Sequence, residues 1–356
     1  YGHNGADDAA FDAALVALAF PGRPVLLKWT RDDEHAWEPY ASAMSMELRA
    51  SLDADGAVID WSHECYSDTH LGRPRPTLGG EGPSRLLAAV HRENPAPPFR
   101  ANPSMASHAG LHRNIDPYYT FPAVRAIKNL VRDLPLRTSA LRCLGGYANI
   151  FALESMMDEL ARHIDADPVT FRLRHLDDLR ARDVIEAAAE GIGWTKDLED
   201  GVGHGIAFSR YCNSKTYTAI AIELKVNDAA EIEIRKAVCA ADAGEVVDAA
   251  GLSMQLEGGV LQAISWTLYE EVLFDQDGIT SRDWEAYPIL TFAQAPSVDV
   301  IIIDRPGEPH LGAGEASSEP VAAAIANALF DAVGIRARLL PMTPYNLRQA
   351  AMCAHG

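Results

Sequence analysis

Glu315 lies in a loop of small residues, Gly312-Ala-Gly-Glu-Ala316. The loop leads into an apolar segment with helical spacing. Glycines have no Cβ, so the backbone of this loop can pass close to a bulky ligand. Apolar residues recur at three- and four-residue steps between Val321 and Ala332, and this pattern predicts a helix with one buried face. The positive end of a helix dipole favours an ionised carboxylate, which is the form a general base requires.

The same loop has a simpler interpretation, a helix-capping turn with an incidental acid. Ser317 or Ser318 would then cap the helix, and Pro320 would fit its first turn, where a backbone N–H has no partner. Gly-x-Gly-Glu is a short string, and spacing alone leaves both interpretations open.

Several common catalytic motifs are absent from the sequence. There is no Gly-x-x-x-x-Gly-Lys phosphate loop and no Gly-x-Ser-x-Gly nucleophile elbow, and residues 201–205 lack the spacing of a dinucleotide-binding loop. His108 and His112 have the spacing of a zinc-protease helix, but Ala109 stands where the general-base Glu should be. The glycine-flanked loops that remain are poor in metal ligands. They favour a protein that holds a large preformed cofactor beside one carboxylate.

The composition is ordinary for a globular protein. The 356 residues are enough for two domains, with 48% hydrophobic and 23% charged residues. A net charge of −19 argues against a nucleic-acid partner, because phosphates require a basic surface. The five cysteines are widely spread and include no Cys-x-x-Cys pair, which favours folding in a reducing compartment. We therefore expect a cytoplasmic protein, with a periplasmic one as the alternative.

Residue patterns predict an α+β fold with mixed sheets and packed helices. Helical spacing covers the segment up to residue 20 and residues 147–164, 169–179 and 251–272. Hairpins are predicted for residues 43–52 with 57–66 and for 217–226 with 231–241, and single strands for 25–29 and 298–303. Residues 31–34 are predicted to form an acidic turn, residues 73–103 a surface excursion, and residues 180–203 a domain boundary.

Five segments, in order, resemble the molybdopterin-binding subunit of the xanthine dehydrogenase and aldehyde oxidase family of molybdenum hydroxylases. They are Leu141-Arg-Cys-Leu-Gly-Gly146, Ala152-Leu-Glu-Ser-Met-Met-Asp-Glu-Leu160, Asp167-Pro-Val-Thr-Phe-Arg-Leu-Arg174, Gln255-Leu-Glu-Gly-Gly-Val-Leu-Gln262 and Gly312-Ala-Gly-Glu-Ala316. The first residues, Tyr1-Gly-His-Asn, resemble the family's Gly-Gly-Phe-Gly loop without its leading glycines. The resemblance is greatest to the bacterial branch that contains isoquinoline oxidoreductases, nicotinate dehydrogenases and some aldehyde dehydrogenases.

The resemblance implies two molybdopterin-binding domains of the large subunit. Residues 1–185 would be the remainder of the first domain, and residues 186–356 would be the second domain, which carries Glu315. The N-terminal part of the subunit would be missing from this chain, either as a separate polypeptide or through cleavage before Tyr1.

The resemblance also implies roles for individual residues. Glu315 would be the catalytic base in the hydroxylation of an aldehyde or N-heteroaromatic carbon, with water as the oxygen source. The cofactor would be contacted by Tyr1, Gly2, Arg142, Gln255, Gly258, Gly259, Gly312, Ala313 and Gly314. Arg142 as a plain salt-bridge residue and Gln255 as a helix cap are the simpler alternatives.

One departure from the family pattern concerns the substrate pocket. Cys143 and Leu144 stand where the xanthine enzymes have Gly and Phe, so the aromatic lid over a purine is missing and xanthine is not expected to be the substrate. Cys143 is expected to be a small buried residue and not a metal ligand, because the cofactor's dithiolene holds the molybdenum.

The implied cofactors and partners follow from the same resemblance. They are molybdopterin with molybdenum, in the cytosine dinucleotide form, and a subunit with [2Fe-2S] clusters. The missing N-terminal portion would be a further chain, with an FAD or cytochrome c subunit as another candidate partner and a small molecule as substrate. The alternative is a non-catalytic scaffold subunit that keeps the fold without the cofactor.

Overall fold

A computed structural model describes residues 7–72, 86–95, 101–195 and 197–354 of the chain. The helices are α1 (Asp8–Ala19), α2 (Arg31–Trp37), α3 (Gly146–His163), α4 (Pro168–Arg174), α5 (Leu179–Ile192), α6 (Ala249–Leu268), α7 (Val321–Val333) and α8 (Pro344–Ala354). The strands are β1 (Met44–Leu52), β2 (Val58–Ser67), β3 (Val124–Leu130), β4 (Val202–Arg210), β5 (Tyr217–Val226), β6 (Ile232–Asp242), β7 (Phe274–Asp275), β8 (Gly278–Ile279) and β9 (Val298–Ile302). Within these ranges, no helix combines the length and the apolar character needed to cross a membrane.

The larger sheet has the strand order β4-β5-β6-β9 and is covered by helices on both faces. β4, β5 and β6 are antiparallel neighbours, and β9 runs parallel to β6. Because side chains alternate along a strand, Ile220 and Ile222 of β5 pack with α6 and α7, whereas Ala219 and Ala221 pack with α3 and α5. The sheet is therefore the central layer between two helical layers.

Gly205 of β4 lets α7 lie directly on this sheet. A Cβ at residue 205 would overlap the carbonyl oxygen of Ala324 and the backbone nitrogen of Ala328. The facing residues of α7 are mostly alanines, and the helix is buried from Val321 to Leu329. The short distance between strand and helix fixes the position of the α7 N-terminus, which follows the Glu315 loop.

The smaller sheet has the order β1-β2-β3, with β1 antiparallel and β3 parallel to β2. Trp61 of β2 is fully buried and stacks on Phe121, with a ring-centroid distance of 5.2 Å. These residues belong to the same apolar cluster as Leu153 and Met157 of α3. α3 thus joins the smaller sheet to the larger one.

A fully buried ion pair joins α3 and α4. Arg172 Nε donates to Glu154 Oε2 at 2.7 Å, and both side chains are completely inaccessible to solvent. Tyr119 Oη donates to Glu154 Oε1 at 2.6 Å, and the backbone N–H of Phe208 in β4 donates to Oε2 at 3.0 Å. The pair is thus well supplied with hydrogen bonds, which offset the cost of removing the charges from water.

Most of the predicted elements are confirmed, and two predictions near the N-terminus are wrong. Both hairpins, the helices at residues 147–164 and 251–272 and the strand near residue 300 lie where the patterns indicated, whereas the helix predicted for residues 169–179 ends at Arg174. Residues 25–29 form no strand, and Leu26 is 96% exposed, because an apolar run without a neighbouring strand gains no backbone pairing. Residues 31–34 begin α2 instead of a turn, since Thr30 and Asp33 form a capping box. Most of the predicted 73–103 excursion lies outside the described residues.

Removing one member of the buried pair is expected to destabilise the fold strongly. Arg172→Met should lower the free energy of unfolding by about 3–5 kcal/mol, because Glu154 would remain buried without its countercharge. Arg338→Met is the matched control, since Arg338 pairs with Glu159 at 2.8 Å while 69% exposed and should cost only about 0–1 kcal/mol. Urea denaturation followed by circular dichroism measures both values. Equal losses in the two variants would contradict the assigned importance of the pair.

Candidate active site

Glu315 lies immediately before a short 3₁₀ helix (Ala316–Ser318), with its carboxylate at the centre of a cluster of donors. The backbone N–H of Cys143 donates to Oε1 at 3.0 Å, and the hydroxyl of Tyr211 donates to Oε2. Arg113 Nη1 lies 3.6 Å from Oε2. The side chain is 19% exposed, so a carboxylate held by two hydrogen bonds and one ion pair still reaches solvent.

Arg142 and Gln255 meet at one backbone carbonyl beside Glu315. Arg142 Nη2 donates to the oxygen of Gly314 at 2.6 Å, and Gln255 Nε2 donates to the same oxygen at 2.8 Å. Arg142 Nη1 donates to Gln262 Oε1 at 2.7 Å. The structure therefore brings together three of the segments that the sequence singled out. Gln255 lies inside α6, whose N-cap is Asp248, so the helix-cap interpretation of Gln255 is wrong.

Gly258 and Gly259, adjacent in α6, have different surroundings. A Cβ at residue 259 would overlap Ser317 Oγ and lie 2.9 Å from Arg142 Nη2 and 3.1 Å from Ser318 Oγ. A Cβ at residue 258 would meet nothing within 4 Å. Gly259 thus permits close packing of the chain against itself, while Gly258 faces open space.

Ser317 and Ser318 do not cap α7, contrary to the simpler interpretation of the loop. Ser317 Oγ donates to the carbonyl oxygen of Leu256 at 2.9 Å, and Ser318 Oγ donates to that of Gly259 at 3.0 Å. α7 has Pro320 at its N-cap and no side-chain cap bond there. Both hydroxyls are fully buried, so they satisfy polar groups at the contact between the Glu315 loop and α6.

Cys143 and Leu144 have left-handed backbone conformations, with φ of 73° and 48°. Such conformations cost about 1–2 kcal/mol for residues with a Cβ, and they cluster at functional sites. In this turn the Cys143 N–H donates to Glu315, and the thiol Sγ lies 3.4 Å from the Glu315 carbonyl oxygen. Cys143 is fully buried, as expected, and burial raises the pKa of its thiol. It is therefore a neutral packing residue whose backbone N–H binds Glu315.

Tyr211 and Arg113 contact Glu315 but were not among the predicted site residues. Burial raises the pKa of the Tyr211 phenol far above its usual value, so the hydroxyl keeps its proton and remains a donor to Glu315. Arg113 donates to the Tyr211 hydroxyl and, through Nε, to the carbonyl oxygen of His108 at 3.2 Å. Neither residue belongs to a local motif, because the contacts join segments far apart in the sequence.

The backbone of the Gly312-Ala313-Gly314 stretch has unused donors. Among the described residues, none accepts a hydrogen bond from the N–H groups of these three residues. The loop is anchored instead by the Leu311 N–H, which donates to Ala243 at 2.7 Å, and by the Gly312 carbonyl, which accepts from Thr216 Oγ1 at 3.0 Å. Gly312 is exposed, and a Cβ there would meet nothing within 4 Å. These N–H groups can therefore bind an acceptor-rich ligand beside Glu315.

Two of the predicted cofactor contacts involve residues that the structure does not describe. Tyr1 and Gly2 lie among the undescribed residues, so their predicted cofactor contacts stay predictions. In the described ranges, no three His, Cys, Asp or Glu side chains come together as a candidate metal site.

The two α6 glycines provide a direct test of this geometry. Gly259→Ala should lower the free energy of unfolding by about 1–3 kcal/mol, because the added methyl group overlaps Ser317 and crowds Arg142. Gly258→Ala should instead raise it by up to about 1 kcal/mol, because alanine is the better helix former and open space surrounds the site. Thermal and urea unfolding of both variants decide the matter. A destabilised Gly258→Ala beside an unaffected Gly259→Ala would show the assignment to be reversed.

Two regions of the chain match known protein domains. Residues 98–176 and 145–296 each match a molybdopterin cofactor-binding domain, and together the matches span more than half of the chain. A nicotinate dehydrogenase subunit from Pseudomonas putida is 36% identical over 98% of this chain and 29% of its own length. The beta subunit of isoquinoline 1-oxidoreductase from Brevundimonas diminuta is 27% identical over 94% of this chain and 40% of its own length.

The fold is also found in a solved structure. Quinoline 2-oxidoreductase from Pseudomonas putida 86 superposes with a TM-score of 0.74 and 13% identity, over 95% of this chain and 65% of that one. The chain spans less than half the length of the two curated relatives. Its fold is that of the molybdenum hydroxylase large subunits. It belongs to the molybdopterin-binding subunits of the xanthine dehydrogenase and aldehyde oxidase family of molybdenum hydroxylases.

Proposed function

We propose that this chain supplies the catalytic base of a molybdenum hydroxylase that oxidises an aldehyde or an N-heteroaromatic carbon. In this reaction the carbon gains a hydroxyl group whose oxygen comes from water, and it loses two electrons. The observation that supports the proposal best is the Glu315 carboxylate, held by two hydrogen bonds and the ion pair with Arg113 and still partly exposed beside open glycine backbone. A general base requires this combination of fixed geometry and access.

The residues around Glu315 fit a molybdopterin. The unused N–H groups of residues 312–314 suit phosphate and pterin acceptors, and the open spaces at Gly258 and Gly312 leave room for a bulky group. Arg142 and Gln255 fix the carbonyl of Gly314 and so hold this backbone in place. When bound, the cofactor supplies a redox-active metal that takes up the two electrons of the oxidation. The cytosine dinucleotide form is our proposal for its nucleotide part.

Each side chain of the site has a definite task in this scheme. Glu315 takes the proton from the water-derived nucleophile, and the Cys143 N–H and the Tyr211 hydroxyl hold its two oxygens in orientation. Arg113 balances the negative charge of the carboxylate. Leu144, in its left-handed conformation next to Cys143, is our candidate for a wall of the substrate pocket, which an aldehyde or a heteroaromatic ring would enter.

We further propose that the chain acts within a complex that contains a [2Fe-2S] subunit, the N-terminal portion of the molybdopterin subunit, and an FAD or cytochrome c subunit. Two facts support this proposal: the relatives are named as subunits, and the chain spans only part of their length. Residues 1–185 and 186–356 remain our proposed domains. A cytoplasmic location is in keeping with the thiols of Cys65, Cys143, Cys212 and Cys239, which form no disulfide.

The function is tested by assaying the purified complex. A panel of aldehydes and N-heterocycles with an artificial electron acceptor in ¹⁸O-labelled water should yield labelled acids or lactams from at least one substrate class. A complex without molybdenum that reduces no acceptor would favour the non-catalytic scaffold instead.

Replacing the proposed base should slow turnover strongly without loss of the cofactor. Glu315→Gln is expected to lower kcat by about 10²–10⁴-fold, because the amide accepts no proton at neutral pH. Glu271→Gln, at an exposed position, is the control and should leave kcat unchanged. Steady-state kinetics are combined with elemental analysis of molybdenum in each variant. Full turnover by Glu315→Gln with normal molybdenum content would rule out this base.

Filling the open space on α6 should exclude the cofactor. Gly258→Trp is expected to reduce the molybdenum content strongly, since the indole would occupy the space in which the cofactor is proposed to lie. The fold should persist, because the position is exposed and a Cβ there would meet nothing within 4 Å. Molybdenum per protein is compared with that of Gly258→Ala, and far-ultraviolet circular dichroism checks folding. A tryptophan variant with full molybdenum content would contradict this location.

A further inference from the structure

Glu319 is a second carboxyl group beside the base, and the proposed reaction has no use for it. It lies four residues after Glu315, just before α7, and its side chain is completely buried. Neither of its carboxyl oxygens makes a hydrogen bond of normal geometry with a described residue; the charge of Arg113 and, less strongly, the nearby hydroxyl of Ser209 favour its ionised form. A buried carboxyl group with so few donors requires an explanation.

Glu319 lies beside Arg113, which is the ion-pair partner of Glu315. A Cβ on Gly146, the first residue of α3, would overlap Glu319 Oε1 and lie 3.2 Å from Arg113 Cγ, so these two side chains lie together against that glycine. The guanidinium of Arg113 reaches Glu315 Oε2 at 3.6 Å and also attracts the charge of Glu319. One cation therefore faces two acids.

Ionising both Glu315 and Glu319 would cost a large free energy, so only one of these two acids carries a charge. Two carboxylates that share a site repel each other, so one of them keeps its proton. Glu315 has hydrogen bonds from Cys143 and Tyr211, which favour a carboxylate, whereas Glu319 lacks such donors. Burial raises the pKa of Glu319 well above its usual value of 4.5, although Arg113 opposes this shift.

The other titratable groups near Glu319 carry no charge that would alter this balance. They are the thiols of Cys143 and Cys212 and the phenol of Tyr211, each of which is affected by Glu319. Burial raises the pKa of all three, so they stay protonated at neutral pH. The cluster thus contains one cation, one anion and one neutral acid.

We propose that Glu319 is a positioning residue that stays protonated during turnover, so that Arg113 remains paired with Glu315 alone. Ionisation of Glu319 at alkaline pH creates a second anion that competes for Arg113 and shifts the guanidinium away from the base. The site then loses activity as the pH rises. This inference rests on the proposed function, because it assigns Glu319 a role in orienting the proposed base.

The test compares pH profiles of Glu319→Gln and wild-type complexes. Glutamine has the shape of a protonated glutamate, so kcat/KM at neutral pH should change by no more than about twofold. The alkaline decline of kcat/KM should move to higher pH or disappear in this variant. Glu319→Asp, which keeps an ionisable group, should retain an alkaline decline.

A control separates positioning from mere structural damage. Asp158→Asn changes another buried carboxyl, 1% exposed and paired with Arg336, in a different ion-pair cluster. It should lower stability while leaving the shape of the pH profile unchanged.

Two measurements need no activity. The infrared difference spectrum between wild type and Glu319→Gln at neutral pH should contain the C=O stretch of one protonated carboxyl group. Because the folded-state pKa of Glu319 is raised, its stabilising contribution is complete at acidic pH and is lost as the pH rises. The gain in Tm of Glu319→Gln over wild type should therefore be near zero below pH 4.5 and increase above it.

The outcomes that overturn the proposal are distinct from those that overturn the proposed function. An alkaline decline identical in Glu319→Gln and wild type, or a spectrum without the protonated carboxyl band, would refute the role of Glu319. Loss of activity at every pH in a folded, molybdenum-containing Glu319→Gln complex would also refute it. An inactive wild-type complex without molybdenum would instead refute the proposed function, while the infrared and Tm results would still decide the protonation of Glu319.

Discussion

The buried carboxylate of Glu154 is the point at which the two halves of the structure are joined. Its oxygens accept hydrogen bonds from Tyr119, Arg172 and Phe208, and its backbone carbonyl accepts from Arg172 and Asn327. These donors come from the loop before β3, from α4, from β4 and from α7. Because α3 begins next to the Arg142 turn and α7 begins next to the Glu315 loop, the relative position of these two site segments depends on this junction.

Several polar groups of the site are backbone atoms. The Cys143 N–H binds Glu315, the Gly314 carbonyl binds Arg142 and Gln255, and the N–H groups of residues 312–314 have no acceptor among the described residues. Backbone atoms can be brought this close only where side chains are small or the conformation is unusual, as at Gly259 and Cys143. Such groups are held rigidly by the fold, which is the arrangement that electrostatic catalysis requires.

The features that could be predicted from the sequence are those that depend on local residue patterns or on the ordered family motifs. Hairpins, long helices and the convergence of Arg142, Gln255 and Glu315 follow from periodicity and from the order of the family motifs. Tyr211 and Glu319 could not be predicted, because their roles arise from contacts between distant segments and from burial. The capping box of α2 was recognisable in the sequence, whereas the missing partner strand for residues 25–29 is a tertiary property.

The paired serines of the Glu315 loop have a consequence for how such a protein diversifies. Ser317 and Ser318 attach the loop to carbonyl groups of α6, so hydrogen bonds hold the proposed base next to the helix proposed to face the cofactor. Under the proposed function, a change of substrate that keeps this contact would come from residues outside it, such as Leu144 in the neighbouring turn. Relatives with different substrates could then keep the same geometry around the proposed base.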